Sequence, residues 1–528
     1  MSKSQERPNI LLILNDDMGF SDLGCYGGEV NTPSLDGLAA GGLRFTHFYN
    51  TARCCPSRAS LLTGLHPHQV NVGHMMSDDG VDGYRGDLVP ACVTIAEALG
   101  DSGYATFLSG KWHVTRHVNG PKDSWPRQRG FERFYGIMSG ASSYFDPIAL
   151  TEDNERIEPE QGPFYLTDAI SDRMVGFLDD HAARDGERPF FGYLAYTAPH
   201  WPLHAHPDDI ARYAGRYDIG WDELRRQRLE RMVDMGLIRS HWLLSPRDVN
   251  VPSWDDAANK VWQSRRMEVY AAQIERMDCG IGRVVEALDR NGLYENTLIL
   301  FLADNGGCAE ELTAASGERI SGRSGWSETR DGRTVRYGNH PDVMPGPDDT
   351  YQSCGVPWAN VSNTPFREYK HWVHEGGIST PLIVHWPAGI KARGELRHQP
   401  GQLPDIMATC LDVAGAAYPS RRNGLDIPPL EGYSLTPNWQ GENIERKTLY
   451  WEHEGNRAVR RNKWKLVCKY PGPWELYDME ADRTELNDLS DQYPEVVQEL
   501  SDLHDVWADR CKVMPWNELQ RLRRQAGN

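Results

Sequence analysis

The sequence predicts an α/β protein with a large, mixed but mostly parallel β-sheet sandwiched by helices, followed by a small C-terminal antiparallel sheet with a helix. Two observations carry this prediction. Continuous apolar runs alternate with helical patterns, which is typical of parallel strands buried on both faces. After about Gly441 the pattern changes to short strand-like runs that follow one another closely. We therefore predict a large domain at residues 1–440 and a small domain at 441–528.

The apolar runs of the large domain end abruptly at polar residues. They lie at 9–14, 104–108, 190–196 and 297–302, and helical patterns lie between or after them at 92–99, 169–178, 267–288 and 403–413. In the small domain, the runs 448–453, 457–460, 464–467 and 474–477 predict antiparallel strands, and 494–510 predicts a helix. The basic run 457–465 is predicted to be a solvated strand and turn.

Polar side chains follow each of the four apolar runs of the large domain. Because ligands bind beyond the carboxyl ends of the strands in open α/β sheets, we expect these side chains to converge. Taken singly, each has an ordinary explanation, such as a helix cap, a tight turn, a structural histidine or a surface lysine. The convergence of separate strands favours a binding site made of Asp16, Asp17, Lys111, His113, His200, Asp304 and Asn305.

The stretch from Cys54 to Gly64 has the pattern of a short helix with chemistry at its start. Pro56 suits the first helical turn, and Gly64 suits the end of the helix. Cys54 then lies at the helix N-terminus, where free N–H groups and the helix dipole favour anions. The alternative is a buried cysteine before an ordinary helix.

Composition limits the possible partners. The formal net charge of the 528-residue chain is −19, which repels nucleic acid and long polyanions. No apolar run approaches the length that spans a membrane, so we expect no membrane association. The first residues lack the apolar core and cleavage site of a secretory signal, which predicts a cytoplasmic location. The ten cysteines are scattered without a C-x-x-C pair, which argues against a zinc cluster or a disulfide framework.

The segment Cys54–Gly64 matches the signature C-x-P-S-R-x-x-x-L-T-G at every specified position. The chain therefore resembles the type I sulfatases, formylglycine-dependent members of the alkaline phosphatase superfamily, and is most similar to bacterial arylsulfatases. The resemblance extends from Arg7 to about Leu489. It implies that a maturation enzyme converts Cys54 to formylglycine, an aldehyde that hydrates to a gem-diol, and that Cys55 fills the variable position.

The same resemblance implies a metal site and a catalytic group. The implied metal ligands are hard oxygen donors, which suit the Ca²⁺ usual in the family, or Mg²⁺. They are Asp16, Asp17, Asp304, Asn305 and residue 54 in its modified form. Lys370 is placed by the stretch 364–370 and by its position five residues before Glu375. The implied catalytic residues are Cys54, Arg58, Lys111, His113, His200 and Lys370.

The implied reaction is hydrolysis of a small sulfate monoester. One hydroxyl of the hydrated formylglycine attacks sulfur, and His200 protonates the leaving oxygen with help from Lys370. His113 then removes the proton from the second hydroxyl, which expels sulfate, while Arg58 holds residue 54 in position. Two alternatives stay open: a phosphonate or phosphate ester hydrolase of the same superfamily, and a non-catalytic binder of sulfated ligands. The substrate's alcohol and the oligomeric state are also open.

Two segments are candidate rims of the site. The insertion 310–363 is rich in Gly, Ser, Asp and Pro and has little periodicity, so it is either a substrate-selecting loop or a passive cover. The Trp-rich stretch 212–262 is a second candidate. His453 could approach the pocket, but a structural role is the favoured interpretation.

Overall fold

The computed structural model describes residues 7–159, 162–317, 319, 327–445 and 448–526. Its main feature is an 11-stranded sheet built from strands of both halves of the large domain. The strands, in chain order, are β1 (Asn9–Asn15), β2 (Leu43–Tyr49), β3 (Ala105–Gly110), β4 (Arg133–Ile137), β5 (Leu150–Glu152), β6 (Glu155–Arg156), β7 (Phe190–Ala195), β8 (Thr297–Ala303), β9 (Arg336–Tyr337), β10 (Thr350–Tyr351), β11 (Ser379–His385), β12 (Glu395–Arg397), β13 (Gly401–Gln402), β14 (Arg421–Arg422), β15 (Leu425–Asp426), β16 (Leu449–His453), β17 (Asn456–Arg461), β18 (Trp464–Cys468) and β19 (Trp474–Asp478).

The order of strands across the large sheet is β12-β2-β11-β8-β1-β7-β3-β4-β5-β6, and β13 pairs with β2. Strands β8, β1, β7, β3 and β4 run parallel to one another. Strand β11 is antiparallel to both β8 and β2. This arrangement confirms the predicted mixed, mostly parallel sheet.

Helices cover both faces of this sheet. Along β1, Leu11 and Ile13 belong to one buried apolar cluster, whereas Ile10, Leu12 and Leu14 belong to another on the opposite face. The continuous apolar run is therefore explained by burial on both sides. The α-helices are Pro33–Ala40, Cys54–Thr63, Ile95–Asp101, Leu166–Asp185, Pro207–Ala211, Gly220–Asp234, Lys260–Arg290, Gly355–Ser362, Glu375–Ile378, Pro404–Ala414, Thr436–Trp439, Pro494–Cys511 and Trp516–Ala526.

The C-terminal part forms the predicted small antiparallel sheet. Strands β16 to β19 pair in chain order, and the helix Pro494–Cys511 packs against them with Leu500 in a shared apolar cluster. The boundary near residue 440 stays a prediction. The basic run 457–465 forms a strand and a turn as predicted, and residues 461–463 are exposed, but Arg460 and Lys465 are buried.

The insertion 310–363 is more ordered than its sequence indicated. It contributes β9, β10 and the helix Gly355–Ser362, while residues 318 and 320–326 lie outside the described residues. Trp358 of this helix makes edge contacts with Tyr217 and Trp221 of the Trp-rich stretch. The two candidate rims therefore pack against each other, and the prediction of a loop is wrong for residues 355–362.

Two further features concern the chain as a whole. Among the described helices, none combines the length and the apolar character needed to cross a membrane. All ten cysteines lie in described segments and are free thiols.

Candidate active site

The sequence-predicted site residues converge at the carboxyl edge of the large sheet. Asp16 and Asp17 follow β1, Asp304 follows its parallel neighbour β8, and Lys111 and His113 follow β3. The helix Cys54–Thr63 brings Cys54 to the same place at its first residue, and Gly64 ends the helix with a positive φ of 67°. Every predicted residue is at most 5% exposed, and the set is Asp16, Asp17, Cys54, Arg58, Lys111, His113, His200, Asp304, Asn305 and Lys370.

Two buried carboxylates, Asp16 and Asp304, share the cations at the centre of the site. Arg58 Nε lies 3.0 Å from Asp304 Oδ2, and its NH2 atom lies 3.6 Å from Asp16 Oδ2. Lys111 Nζ donates to the same oxygen of Asp16. Burial opposes ionisation of Asp16, but Lys111 and the other cations lower its pKa to about 2. Burial and the charge of Asp16 raise the pKa of Asp304 well above its usual value.

The oxygen donors of the site fit a hard divalent cation. Asp16 Oδ1 and Asn305 Oδ1 are buried, and neither has a hydrogen-bond partner among the described residues. A buried acceptor without a partner is unfavourable, so such oxygens call for a donor or a cation. Asn305 Nδ2 donates to Asp17 Oδ1 over 2.7 Å, and Asp17 N lies 3.4 Å from Asp304 Oδ1. Carboxylate and amide oxygens at one point suit Ca²⁺ or Mg²⁺ rather than zinc.

Lys370 and His200 form a second contact group around Asp17. Lys370 Nζ lies 2.7 and 2.9 Å from the two carboxylate oxygens of Asp17. His200 Nε2 lies 3.4 Å from Asp17 Oδ2 and 3.4 Å from Lys370 Nζ. Because a carbonyl only accepts, the 2.6 Å contact with Trp201 O places a hydrogen on His200 Nδ1. The Nε2 atom therefore faces the site and is the atom that can exchange a proton there.

His113 lies beside Cys54 and Cys55. Its Nε2 is 3.1 Å from the Sγ atom of Cys55, the residue after the motif cysteine. Burial and the charge of Lys111 lower the pKa of His113 to about 4, which keeps the ring neutral at pH 7. A hydrogen bond from Cys55 lowers the pKa of Cys54, with burial opposing and Lys111 assisting. Besides its contacts with Asp304 and Asp16, Arg58 donates to Lys111 O over 3.0 Å.

The rim contains residues that the sequence did not single out. Glu310 accepts hydrogen bonds of 2.8 Å from Arg53 NH1 and from Trp201 Nε1. Arg53 and Glu310 line a cavity of about 370 Å³ together with Lys370 and His371, and both candidate rims contribute to its wall. Arg53 is adjacent to the signature and Glu310 begins the insertion, but nothing in the sequence pairs them. The other lining residues are Asp248, Asn250, Ala309, Val356, Glu368, Tyr369, Trp372 and Lys469.

Comparison with known proteins gives a consistent result. The sulfatase family model matches residues 8–416, and the model of the N-sulphoglucosamine sulphohydrolase C-terminal region matches residues 367–507. An arylsulfatase of Klebsiella aerogenes is 33% identical over 450 residues, covering 82% of this chain and 92% of that protein. An uncharacterized sulfatase of Schizosaccharomyces pombe is 30% identical over 529 residues, covering 94% and 92%.

A solved structure gives the same result for the fold. The crystal structure of Ps i-CgsB in complex with k-i-k-neocarrahexaose superimposes with a TM-score of 0.67 at 25% identity, covering 95% of this chain and 93% of that one. The family model alone spans well over half of the chain, and the signature around Cys54 lies inside the matched region. The chain therefore belongs to the sulfatase family and is a hydrolase of sulfate esters.

Proposed function

We propose that this protein is a sulfatase of the arylsulfatase type that hydrolyses small sulfate monoesters with formylglycine derived from Cys54. The observation that carries the proposal is the buried ring of oxygen donors, lysines and histidines around residue 54 at the sheet edge. A non-catalytic binder of sulfated ligands would need neither the signature cysteine nor both histidines. The likeness to the Klebsiella arylsulfatase supports the arylsulfatase type.

A divalent cation, Ca²⁺ in our proposal with Mg²⁺ as the alternative, would be held by oxygens at one end of the pocket. The two buried acceptors without partners, Asp16 Oδ1 and Asn305 Oδ1, support this assignment. The cation would supply positive charge for the sulfate oxygens and acidify a hydroxyl beside it. Its ligands would be Asp16, Asp17, Asp304, Asn305 and modified residue 54.

The lysines and Arg58 organise charge around residue 54. The ammonium groups of Lys111 and Lys370 contact Asp16 and Asp17. They would therefore lie beside the oxygens of a bound sulfate group. Fixed positive charge at that place stabilises the charge that shifts during sulfate transfer. Arg58 orients Asp304 and the backbone of Lys111, so we assign it a positioning role. Formylglycine, when hydrated, would supply one hydroxyl as nucleophile and a second from which a proton is removed.

The two histidines divide the proton transfers. His200 Nε2 faces the lysine at the rim, so in its protonated form it would donate to the leaving oxygen, with Lys370 assisting. His113 is neutral at pH 7, because burial and Lys111 lower its pKa to about 4. A neutral ring beside residue 54 would accept the proton of the second hydroxyl.

The direct test compares an aryl sulfate with an aryl phosphonate or phosphate that has the same leaving group. The protein is made together with a formylglycine-generating enzyme. We expect its kcat/KM for an aryl sulfate to be at least about 100-fold higher than for the matched aryl phosphonate or phosphate. This ratio equals a difference of about 2.7 kcal/mol in transition-state stabilisation. The measurement is the initial rate of phenol release with Ca²⁺ present. Faster turnover of the phosphonate would favour the alternative hydrolase, and no turnover of either ester would contradict an arylsulfatase.

A second test separates His200 from His113. His200→Ala should slow aryl sulfates with poor leaving groups far more than those with good ones, because help from a general acid grows with leaving-group basicity. A loss of about 100-fold or more is expected for the poorest leaving group. The plot of log kcat/KM against leaving-group pKa should therefore be steeper than that of the parent protein.

His113→Ala is the matched variant. It should leave that slope unchanged and should instead slow sulfate release, so that ³⁵S-labelled sulfate stays on the protein after quenching. Equal slopes for both variants, with no retained label, would refute the division of roles without refuting sulfatase activity.

A further inference from the structure

A cluster of imidazoles and one carboxylate lies where the C-terminal sheet meets the active-site rim. The hairpin between β16 and β17 carries His453 at its last strand residue and Glu454 in its turn. His371, the residue after Lys370, faces this hairpin from the large domain. His74 reaches the same carboxylate from a third segment. None of these side chains has a part in the sulfate chemistry described above.

The donor atoms of the cluster lie close enough together to face one metal ion. His371 Nδ1 lies 3.3 Å from Glu454 Oε2, and His453 Nε2 lies 3.8 Å from Glu454 Oε1. One donor atom from each of the three residues lies within 4.8 Å of the other two. Tetrahedral zinc, with metal–ligand bonds of about 2.0–2.1 Å, separates its donor atoms by about 3.3 Å.

His453 gives an independent sign of a missing partner. Its side chain is fully buried, and neither Nδ1 nor Nε2 has a hydrogen-bond partner among the described residues. A buried ring nitrogen without a partner is unfavourable, and a metal at Nε2 would give that nitrogen a partner. His371 Nε2 lies 3.4 Å from Asn456 Nδ2, so its other ring nitrogen, Nδ1, is the one that faces Glu454.

A hydrogen bond from His74 holds the carboxylate of Glu454 in place without neutralising its negative charge. Arg523 NH2 donates to His74 Nδ1 over 2.7 Å, so the hydrogen of the neutral ring is on Nε2, which donates to Glu454 over 2.6 Å. Ligating carboxylates are commonly held by such a second hydrogen bond. Arg523 is itself paired with Asp79 at 2.6 Å, so it does not neutralise Glu454.

We propose that His371, His453 and Glu454 form a second metal site, selective for Zn²⁺ or a similar borderline cation. Two imidazoles and one carboxylate are a typical zinc set with one open position, in contrast to the oxygen donors around Asp16. The side chains of His371 and Glu454 are 29% and 23% exposed, which gives the ion a path of entry. Bound zinc would fix the C-terminal hairpin to the loop that carries Lys370, beside the cavity that His371 lines.

Zinc titration of the full-length protein tests this proposal without reference to turnover. In saturating Ca²⁺, isothermal calorimetry with ZnCl₂ should show one high-affinity zinc per chain. Glu454→Gln and His371→Ala should each weaken that binding at least about 100-fold, and His74→Ala about 10-fold. Both primary variants replace partly exposed side chains, so the folded state should survive, as circular dichroism would show.

His241→Ala is the control, because His241 is an exposed histidine whose Nε2 lies 3.3 Å from the backbone oxygen of Glu480. Its zinc affinity should equal that of the parent. Co²⁺ in place of Zn²⁺ should show the visible absorption of a tetrahedral complex, which Glu454→Gln should remove. Unchanged zinc affinity in Glu454→Gln and His371→Ala, or no zinc binding by the parent, would overturn the proposal.

Discussion

Replacing Cys54 by alanine is expected to lower kcat for an aryl sulfate by about 10⁴-fold or more. Loss of a catalytic nucleophile removes the covalent route altogether, and what is left comes from binding and charge stabilisation. The measurement is the initial rate of phenol release, with peptide mass spectrometry to determine the state of residue 54 in the parent. The parent should carry formylglycine at this position.

Cys55→Ala is the matched control, since Cys55 is the adjacent thiol and lies 3.1 Å from His113 Nε2. It should keep kcat within about 10-fold, because it removes a contact of the histidine but no reacting group. Cys54→Ser offers a sharper distinction. A serine has one hydroxyl and no second one to deprotonate, so labelled sulfate should remain on the protein after one turnover. Full activity with unmodified Cys54 would contradict the mechanism.

The large sheet was predictable because its strands are buried on both faces. In β1, alternate side chains enter different apolar clusters, so the sequence shows one unbroken apolar run with a clear end at Asn15. Helix limits were less predictable. The helix predicted to begin at Met267 begins at Lys260, because its first turns carry polar residues that lack the apolar period.

The candidate site was predictable where motifs and strand ends coincide. Asp16, Asp304 and Cys54 each stand at the end of a strand or the start of a helix, so topology brings them together. The pair of Arg53 and Glu310 was not predictable, since its members are 257 residues apart and belong to no pattern. The cluster around Glu454 was not predictable for the same reason, although the sequence points to His453.

The burial of Arg460 and Lys465 in the basic run 457–465 was not predictable, because a sequence shows a charge but not the partner that buries it. Strand pairing sets Arg460 opposite Lys465 on one face of the small sheet, and that face packs on the large domain. There Lys465 Nζ lies 2.9 Å from Glu375 Oε1 and 2.7 Å from Glu485. Burial opposes ionisation of Glu375, but Lys465 and Arg483 lower its pKa to about 2.

Lys465→Met is therefore expected to destabilise the protein by about 3–5 kcal/mol, because it leaves two buried carboxylates with one cation fewer. Methionine keeps much of the side-chain volume, so the loss reports charge rather than a cavity. Glu375 follows Lys370 by five residues, and the side chains of Lys465 and Glu375 have no exposed surface. The measurement is urea unfolding followed by tryptophan fluorescence, with Ca²⁺ present.

Lys463→Met is the matched control at nearly the same point of the chain. Lys463 makes a 2.8 Å ion pair with Asp478, but its side chain is 44% exposed. Such surface pairs contribute about 1 kcal/mol or less, so this variant should unfold at nearly the urea concentration of the parent. Salt should weaken the exposed pair and barely affect the buried one, because only the exposed pair is screened. Equal losses for the two variants would show that the buried cluster does not hold the small sheet against the large domain.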